Sequence, residues 1–227
     1  MRLRARYTKS DMSIEQNEKW LARASRAAND AFVPNDDGEL ALFVRRWLAN
    51  PFKIGAIVPS APALARRMAR QTEYKDGEVV VELGPGTGAV TRALLKAGVA
   101  EEHLVLVERD QHMYDFLKTR FPQATLILGD ARQLDQILPP CWVGKVSTVV
   151  SSLPLMGLPG SVRDDIVNAA FTVMSEGGHF VQYTYGLFSP IPRKQLGLVG
   201  KKVAFAGVNL PPASVWRYNR PTVSATV

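Results

Sequence analysis

The stretch Val79-Val80-Val81-Glu82-Leu83-Gly84-Pro85-Gly86-Thr87-Gly88 constrains this chain more than any other. Three β-branched residues in a row predict a strand buried on both faces, because a strand with one wet face alternates apolar with polar residues. Glycines at every second position then predict a tight turn in which the backbone can approach a ligand closely, with no Cβ in the way. Val90, Ala93, Leu94 and Ala97 follow at helical spacing. Strand, glycine turn and helix form the first half of a βαβ nucleotide-binding unit, so the expected class is α/β, with a parallel, doubly wound sheet.

The spacing is Gly-x-Gly-x-Gly, which is neither the dinucleotide fingerprint nor a phosphate loop with its lysine. A phosphate calls for a ring of N–H donors and a cation. Here Pro85 removes one N–H, and the carboxylate of Glu82 stands just before the turn. A carboxylate suits a ligand with a cationic amino group, such as S-adenosylmethionine. The stretch resembles the first signature of the class I methyltransferases.

At 227 residues the chain is long enough for one large domain, or a domain with an appendage. A hydrophobic content of 46% and a mean hydropathy of -0.05 indicate a soluble globular protein. No apolar run approaches the ~20 residues that span a bilayer. Arg2, Arg4, Arg6 and Lys9 make the N-terminus basic, but the apolar core of a secretory signal is missing. The single cysteine, Cys141, excludes internal disulfides and fits a reducing cytosol. No Cys/His cluster points to a metal.

Charge is unevenly spread. Residues 1–76 carry net +5, residues 77–189 net −4, and residues 190–227 net +6 with no acidic side chain. The basic surplus therefore flanks an acidic middle, which suits a polyanionic partner, either nucleic acid or an anionic membrane surface. A basic surface that serves only solubility is the alternative.

Along the chain, Ser13 to about Val33 reads as a helix with a capping box at Ser13 and Gln16. Its Trp20 and Phe32, flanked by Arg23 and Arg26, fit a membrane interface, and packing on the core sheet fits equally well. Residues 34–38 read as a linker. Leu40, Phe43, Val44, Trp47 and Leu48 form an amphipathic helical stripe ended by Asn50-Pro51. Ser60 is placed to cap a helix through Leu64, Met68 and Ala69, and helix N-termini favour anions. Leu104 to Glu108 is the second strand, ending in an acid where a carboxylate accepts from ribose hydroxyls. Residues 110–120 read as a helix, Thr125 to Ala131 as the third strand, Lys145 to Val150 as the fourth, and 161–174 as a helix. Gly177-Gly178 then turn into a fifth strand, His179 to Tyr185. Lys202–Ala206 and the segment 209–218 read as an antiparallel closing pair.

Several segments together are similar to the bacterial phospholipid N-methyltransferases, relatives of the ribosomal RNA adenine dimethyltransferases. They are Asn50-Pro51, Ile54-Gly55-Ala56-Ile57, Pro59-Ser60, the glycine stretch, Gln182-Tyr183-Thr184-Tyr185-Gly186, Ser189-Pro190-Ile191 and Asn209-Leu210-Pro211-Pro212 with Val215-Trp216. The likeness runs from about Phe43 to Arg220.

It implies a seven-stranded class I methyltransferase domain over residues 39–227, with an N-terminal arm and amphipathic helix over 1–38 in contact with the membrane. It implies S-adenosyl-L-methionine as cofactor and S-adenosyl-L-homocysteine as product, held by Glu82, Gly84, Gly86, Gly88, Glu108, Arg109, Asp130, Ala131 and Ser151. The acceptor would be the phosphatidylethanolamine headgroup and its mono- and dimethyl forms on the way to phosphatidylcholine. Ornithine lipids are an alternative. Ser152, Tyr183 and Tyr185 are the implied catalytic residues, and Tyr183 and Tyr185 are expected to face opposite sides of the strand. Ser60, Leu153 and Arg217 are the implied substrate contacts, with Lys53 and Arg66 as further candidates for the lipid phosphate. The implied setting is cytoplasmic, peripheral to the inner face of the cell membrane, with anionic phospholipids as partners and neither nucleic acid nor metal.

One departure bears on the acceptor. Enzymes that methylate amino groups of nucleic acids carry Asn/Asp-Pro-Pro-aromatic or Asn-Leu-Pro-Tyr after the fourth strand. This chain has Ser152-Leu153-Pro154-Leu155. The aromatic platform that holds a base, worth ~1–3 kcal/mol, is missing, which argues against a nucleobase. A ribosomal or transfer RNA methyltransferase is the first rival. A non-catalytic cofactor- or lipid-binding protein is the second, and the intact glycine turn and the two acids weigh against it.

Overall fold

Short apolar runs alternating with helical stretches build a single mixed sheet. The structure is a computed structural model that describes residues 61–185, 188–206 and 213–221. The expectations for the N-terminal arm and helices, Lys53, Ser60 and residues 209–212 lie outside the described residues. The elements in chain order are α1 (Ala61–Ala69), β1 (Val79–Leu83), α2 (Ala89–Lys96), β2 (Leu104–Glu108) and α3 (Gln111–Arg120). Next come β3 (Thr125–Leu128), a single turn α4 (Leu134–Ile137), β4 (Val146–Ser151) and α5 (Gly160–Val173), followed by β5 (Met174–Thr184), β6 (Val199–Ala206) and β7 (Ala213–Asn219).

The sheet order is β3-β2-β1-β4-β5-β7-β6. β1 to β5 pair in parallel, and β7 runs antiparallel to both β5 and β6. Strand order reverses between β1 and β4. Loops leaving the C-terminal ends of these neighbours diverge there and open the crevice where α/β sheets bind ligands.

The β-branched runs do what their composition dictates. Val79, Val81 and Leu83 face one core with Val105, Val107, Ile127, Phe180 and the inner sides of α4 and α5. Val80 faces the other with Leu104, Leu106, Val181 and residues of α1, α2 and α3. Both faces of the central strands are thus dry, as a parallel sheet covered on two sides requires. Asp110 caps α3, its carboxylate accepting from the N–H groups of His112 (2.9 Å) and Met113 (3.0 Å).

Two element boundaries differ from expectation. The third strand stops at Leu128, because Asp130 caps a 3-10 turn over Ala131–Gln133 and accepts from the N–H of Arg132 at 2.9 Å. The fifth strand begins at Met174 rather than after the glycine pair. Val146 pairs with Met174 and Thr148 with His179, so Gly177 and Gly178 form a bulge inside β5.

The turn after β1 needs its last glycine on two counts. Gly88 has φ +72°, and a Cβ there would lie 2.6 Å from Cε2 of the buried Phe121 ring. Gly98 has φ +99° with nothing within 4 Å of a Cβ. Gly88→Ala is therefore expected to cost about 2–4 kcal/mol, left-handed strain plus overpacking. Gly98→Ala should cost only the strain, about 1–2 kcal/mol. Urea denaturation of the two variants checks this, and equal losses would contradict the packing of Gly88 on Phe121.

Candidate active site

The C-terminal ends of β1, β2 and β4 form a cleft that opens to solvent. Gly84, Glu108, Arg109, Asp130, Ala131, Ser152 and Leu153, seven of the expected site residues, line it. Gly86, Gly88, Glu82 and Ser151 stand outside the lining, and the last two are fully buried.

Glu108, the last residue of β2, organises the cleft. One carboxylate oxygen accepts from Gly86 N at 3.1 Å, the other from Arg109 N at 2.8 Å and Asp110 N at 3.0 Å. Burial pushes its carboxyl above the usual range, and those three N–H groups hold it down in part. A carboxylate offers about four acceptor positions, so one remains for a ligand hydroxyl after three backbone donors.

Asp130 lies across the cleft. Arg132 donates to it through Nε (3.1 Å) and Nη2 (2.8 Å), and Arg109 Nη1 lies at 3.6 Å. Burial raises its carboxyl, but the Arg132 fork, the Arg132 N–H and the Arg109 charge outweigh burial and hold it below the usual range. Between the two acids the wall is apolar, formed by Val107, Ala131, Leu153 and the residues Leu158, Val162 and Ile166 at and before α5. Gly84 has φ +66°, and a Cβ on it would stand 2.4 Å from Leu153 Cδ2, so glycine is what lets the β4 loop close on the turn.

Glu82 sits behind this wall. Thr91 Oγ1 donates to it at 2.7 Å and Ser152 Oγ at 3.4 Å. Burial pushes its carboxyl up to about 7, with the two hydroxyls pulling it back, the Glu108 charge raising it and the Arg92 charge lowering it. Ser152 gives its own proton to Glu82, which leaves the serine lone pairs for a donor in the cleft.

The other expected acceptor residues lie elsewhere. Tyr183 and Tyr185 do not face opposite sides. Residues two apart on a strand share a face, and their rings meet edge to face with centroids 5.5 Å apart. Tyr183 packs in the core with Val80, Val150 and Val181, away from the cleft lining. Burial holds its phenol well above the ordinary value, so it keeps its proton. Arg217, expected on a lipid phosphate, forks instead onto Glu73 (2.6 and 3.1 Å), and that pairing holds the Glu73 carboxyl low.

Sequence reasoning missed Gln182. Its buried Nε2 donates to the carbonyls of Leu153 (2.9 Å) and Tyr183 (2.8 Å), bracing the β4 loop against β5. It also missed Arg132 and the α5 wall. Val162 and Ile166 were findable, since their spacing of four marks one face of a helix.

The cleft and sheet define a class I S-adenosylmethionine-dependent methyltransferase, and two acids at consecutive strand ends flanking an apolar slot suit its nucleoside. The chain matches the family model "Ribosomal RNA adenine dimethylase" over residues 60–136. It is 30% identical over 146 residues to the ornithine lipid N-methyltransferase of Singulisphaera acidiphila, an alignment covering 63% of this chain and 76% of that protein. It is 36% identical over 94 residues to ribosomal RNA small subunit methyltransferase A of Phenylobacterium zucineum, covering 40% of this chain and 31% of that one. The chain thus spans about three quarters of the first relative and under a third of the second. A TehB-like SAM-dependent methyltransferase from Corynebacterium glutamicum shares the fold, with a TM-score of 0.53 and 18% identity over 82% of this chain and 100% of that one. This chain belongs, with the S. acidiphila protein, to the class I S-adenosylmethionine-dependent methyltransferases, and its cofactor is S-adenosylmethionine.

The buried state of Glu82 has a measurable consequence. Its carboxyl moves from 4.5 to about 7 on folding. Below the lower value it is protonated in both states. Between the two, the folded state holds the extra proton, so this contribution to stability is lost as pH rises towards about 7. The loss amounts to about 3 kcal/mol. Glu82→Gln, which cannot ionise, should gain thermal stability over the unmodified protein near pH 8 but not near about pH 4.5. Parallel melting-temperature curves for the two proteins would contradict a buried, ionisable Glu82.

Proposed function

We propose that this protein transfers methyl groups to the amine of a membrane lipid headgroup, phosphatidylethanolamine and its mono- and dimethyl forms, towards phosphatidylcholine. The work would be done at the inner face of the cell membrane. One observation carries the acceptor class. At the position where nucleic-acid enzymes present a stacking aromatic, this chain has Leu155, which is fully buried in the core. The segment offers a base no platform. The S. acidiphila relative supports the lipid class, and its name favours ornithine lipid, another amine carrier, as the second reading.

The residues present fit the cofactor. Glu108 would take the ribose, Asp130 and Ala131 the adenine edge, and the apolar wall of Leu158, Val162 and Ile166 its face. When bound, S-adenosylmethionine supplies a methyl group made electrophilic by its sulfonium. The chain's own task is to orient a neutral amine and exclude water. Ser152, whose proton points to Glu82, can accept from an amine N–H, the role the asparagine oxygen has in the nucleic-acid enzymes. An ammonium ordinarily titrates near ~10, so a proton has to leave before each transfer. The Ser152–Glu82 pair is the acceptor that the cleft provides for it. Ionised Glu82 serves this role, so activity should rise with pH through about 7.

The test is incubation with methyl-labelled S-adenosylmethionine and, in parallel, vesicles of phosphatidylethanolamine, vesicles of ornithine lipid and small-subunit ribosomal RNA. Label is expected in mono-, di- and trimethylated phosphatidylethanolamine. Label in RNA alone would overturn the proposal, and label in ornithine lipid alone would move it to the second reading.

A further inference from the structure

Seven large apolar side chains are exposed among the described residues, and four of them lie towards the cleft end of the sheet. Met156, 62% exposed, follows directly on Leu155 after the cleft-lining Ser152-Leu153-Pro154. Tyr185 (43%) and Phe188 (83%) follow the end of β5. The hydroxyl of Thr184 donates to Met156 Sδ at 2.8 Å and ties the two segments together. β6 runs in the same direction as β5, both antiparallel to the intervening β7. Ser214 pairs with Thr184 on one side and with Phe205 on the other, so Phe205 (46%) stands at the same end of the sheet, on the face of Thr184, while Tyr185 stays with Tyr183 on the other face. By contrast, Val143 and Val199 stand singly at the opposite end, before β4 and at the start of β6. Single residues of that kind are ordinary, but four towards one end of a sheet are not.

Cations accompany the rim. Lys202 Nζ lies 5.8 Å from the Phe205 ring centroid, and Arg67 Nε donates to the Phe205 carbonyl at 3.2 Å. Apolar anchors beside basic groups are the composition that settles into the headgroup boundary of an anionic bilayer.

We propose that Met156, Tyr185, Phe188 and Phe205 form a docking rim that dips into an anionic lipid surface, with Lys202 and Arg67 meeting the headgroups. The proposal rests on the lipid-amine reading above and deepens it. A protein partner or second copy seated on this rim would cover the cleft mouth. A bilayer seated there delivers its own headgroups to that mouth. Met156 and Phe188 offer area but no hydrogen bond, which suits acyl chains and glycerol better than RNA.

The test uses the full chain with a single environment-sensitive dye on an introduced cysteine, since the native Cys141 is buried. One protein carries Phe188→Cys and the control Val199→Cys. With vesicles of phosphatidylglycerol and phosphatidylethanolamine, emission at position 188 should shift to the blue and emission at 199 should not. Vesicle-bound protein whose position 188 stays water-like, or shifts no more than 199, overturns the proposal. So does a response at 188 to RNA but not to vesicles. The double variant Met156→Asp/Phe188→Asp should bind these vesicles at least roughly tenfold more weakly, with unchanged affinity for S-adenosylhomocysteine. Undiminished vesicle affinity overturns it. Failure of the lipid reading is told apart by the same set. A dye shift without methylated lipid sinks that reading and leaves the rim, whereas lipid methylated with no shift at 188 sinks the rim alone.

Discussion

The carboxylate of Glu108 accepts from the N–H groups of Gly86, Arg109 and Asp110, and through them joins the glycine turn after β1 to the start of α3. The rest of the site depends on that junction. It holds the turn in its left-handed glycine conformations, which bring Gly84 close enough for Leu153 to close over it. Leu153 in turn is held from the far side by Gln182. Three strands, β2, β1 and β4, and the end of a fourth, β5, are thus locked around one cleft through backbone groups, with side chains serving as the struts. A buried carboxylate is costly unless hydrogen-bonded. Three donors offset that cost while leaving one acceptor position in the cleft.

Glu82 meets the same constraint differently. Among the described residues no backbone N–H serves it; its partners there are the hydroxyls of Thr91 and Ser152. Hydroxyls stabilise a buried anion less than a set of backbone donors or a cation, and burial raises this carboxyl to about 7. Two acids placed at adjacent strand ends therefore differ in kind. Glu108 is fixed in the cleft wall by backbone donors. Glu82 is a group that changes charge within the physiological range and communicates with the cleft through Ser152.

Much of the fold was legible because local pattern and tertiary environment agree. Runs such as Val79–Val81 and Leu104–Val107 can only be buried strands, and the structure reproduces β2 to the residue. The cleft acids were legible because strand-end position in a parallel sheet is enough to place them. What was not legible depends on long-range pairing. Arg217 is claimed by Glu73, 144 residues away in sequence, and no local pattern announces that pair. Gln182 lies in an apolar strand where a lone amide reads as ordinary until its two carbonyl partners are known. The glycine pair at 177 and 178 reads as a turn, yet β4 pairs on both sides of it and makes it a bulge. The placing of Tyr183 and Tyr185 on opposite faces was an error of period, corrected by their contact.

The cleft, the Ser152–Glu82 pair and the exposed apolar side chains all lie at one end of the sheet, which is what an enzyme needs if its acceptor stays in a bilayer while its cofactor comes from water. The most direct measurement is a crystal structure with S-adenosylhomocysteine and a short-chain phosphatidylethanolamine bound together. The account predicts a ribose hydroxyl on Glu108, the nucleoside base beside Asp130 and Ala131, and the lipid amine within hydrogen-bond reach of Ser152 Oγ. A nucleoside seated in the cleft with the lipid amine remote from Ser152, or a ribose that does not touch Glu108, would contradict it.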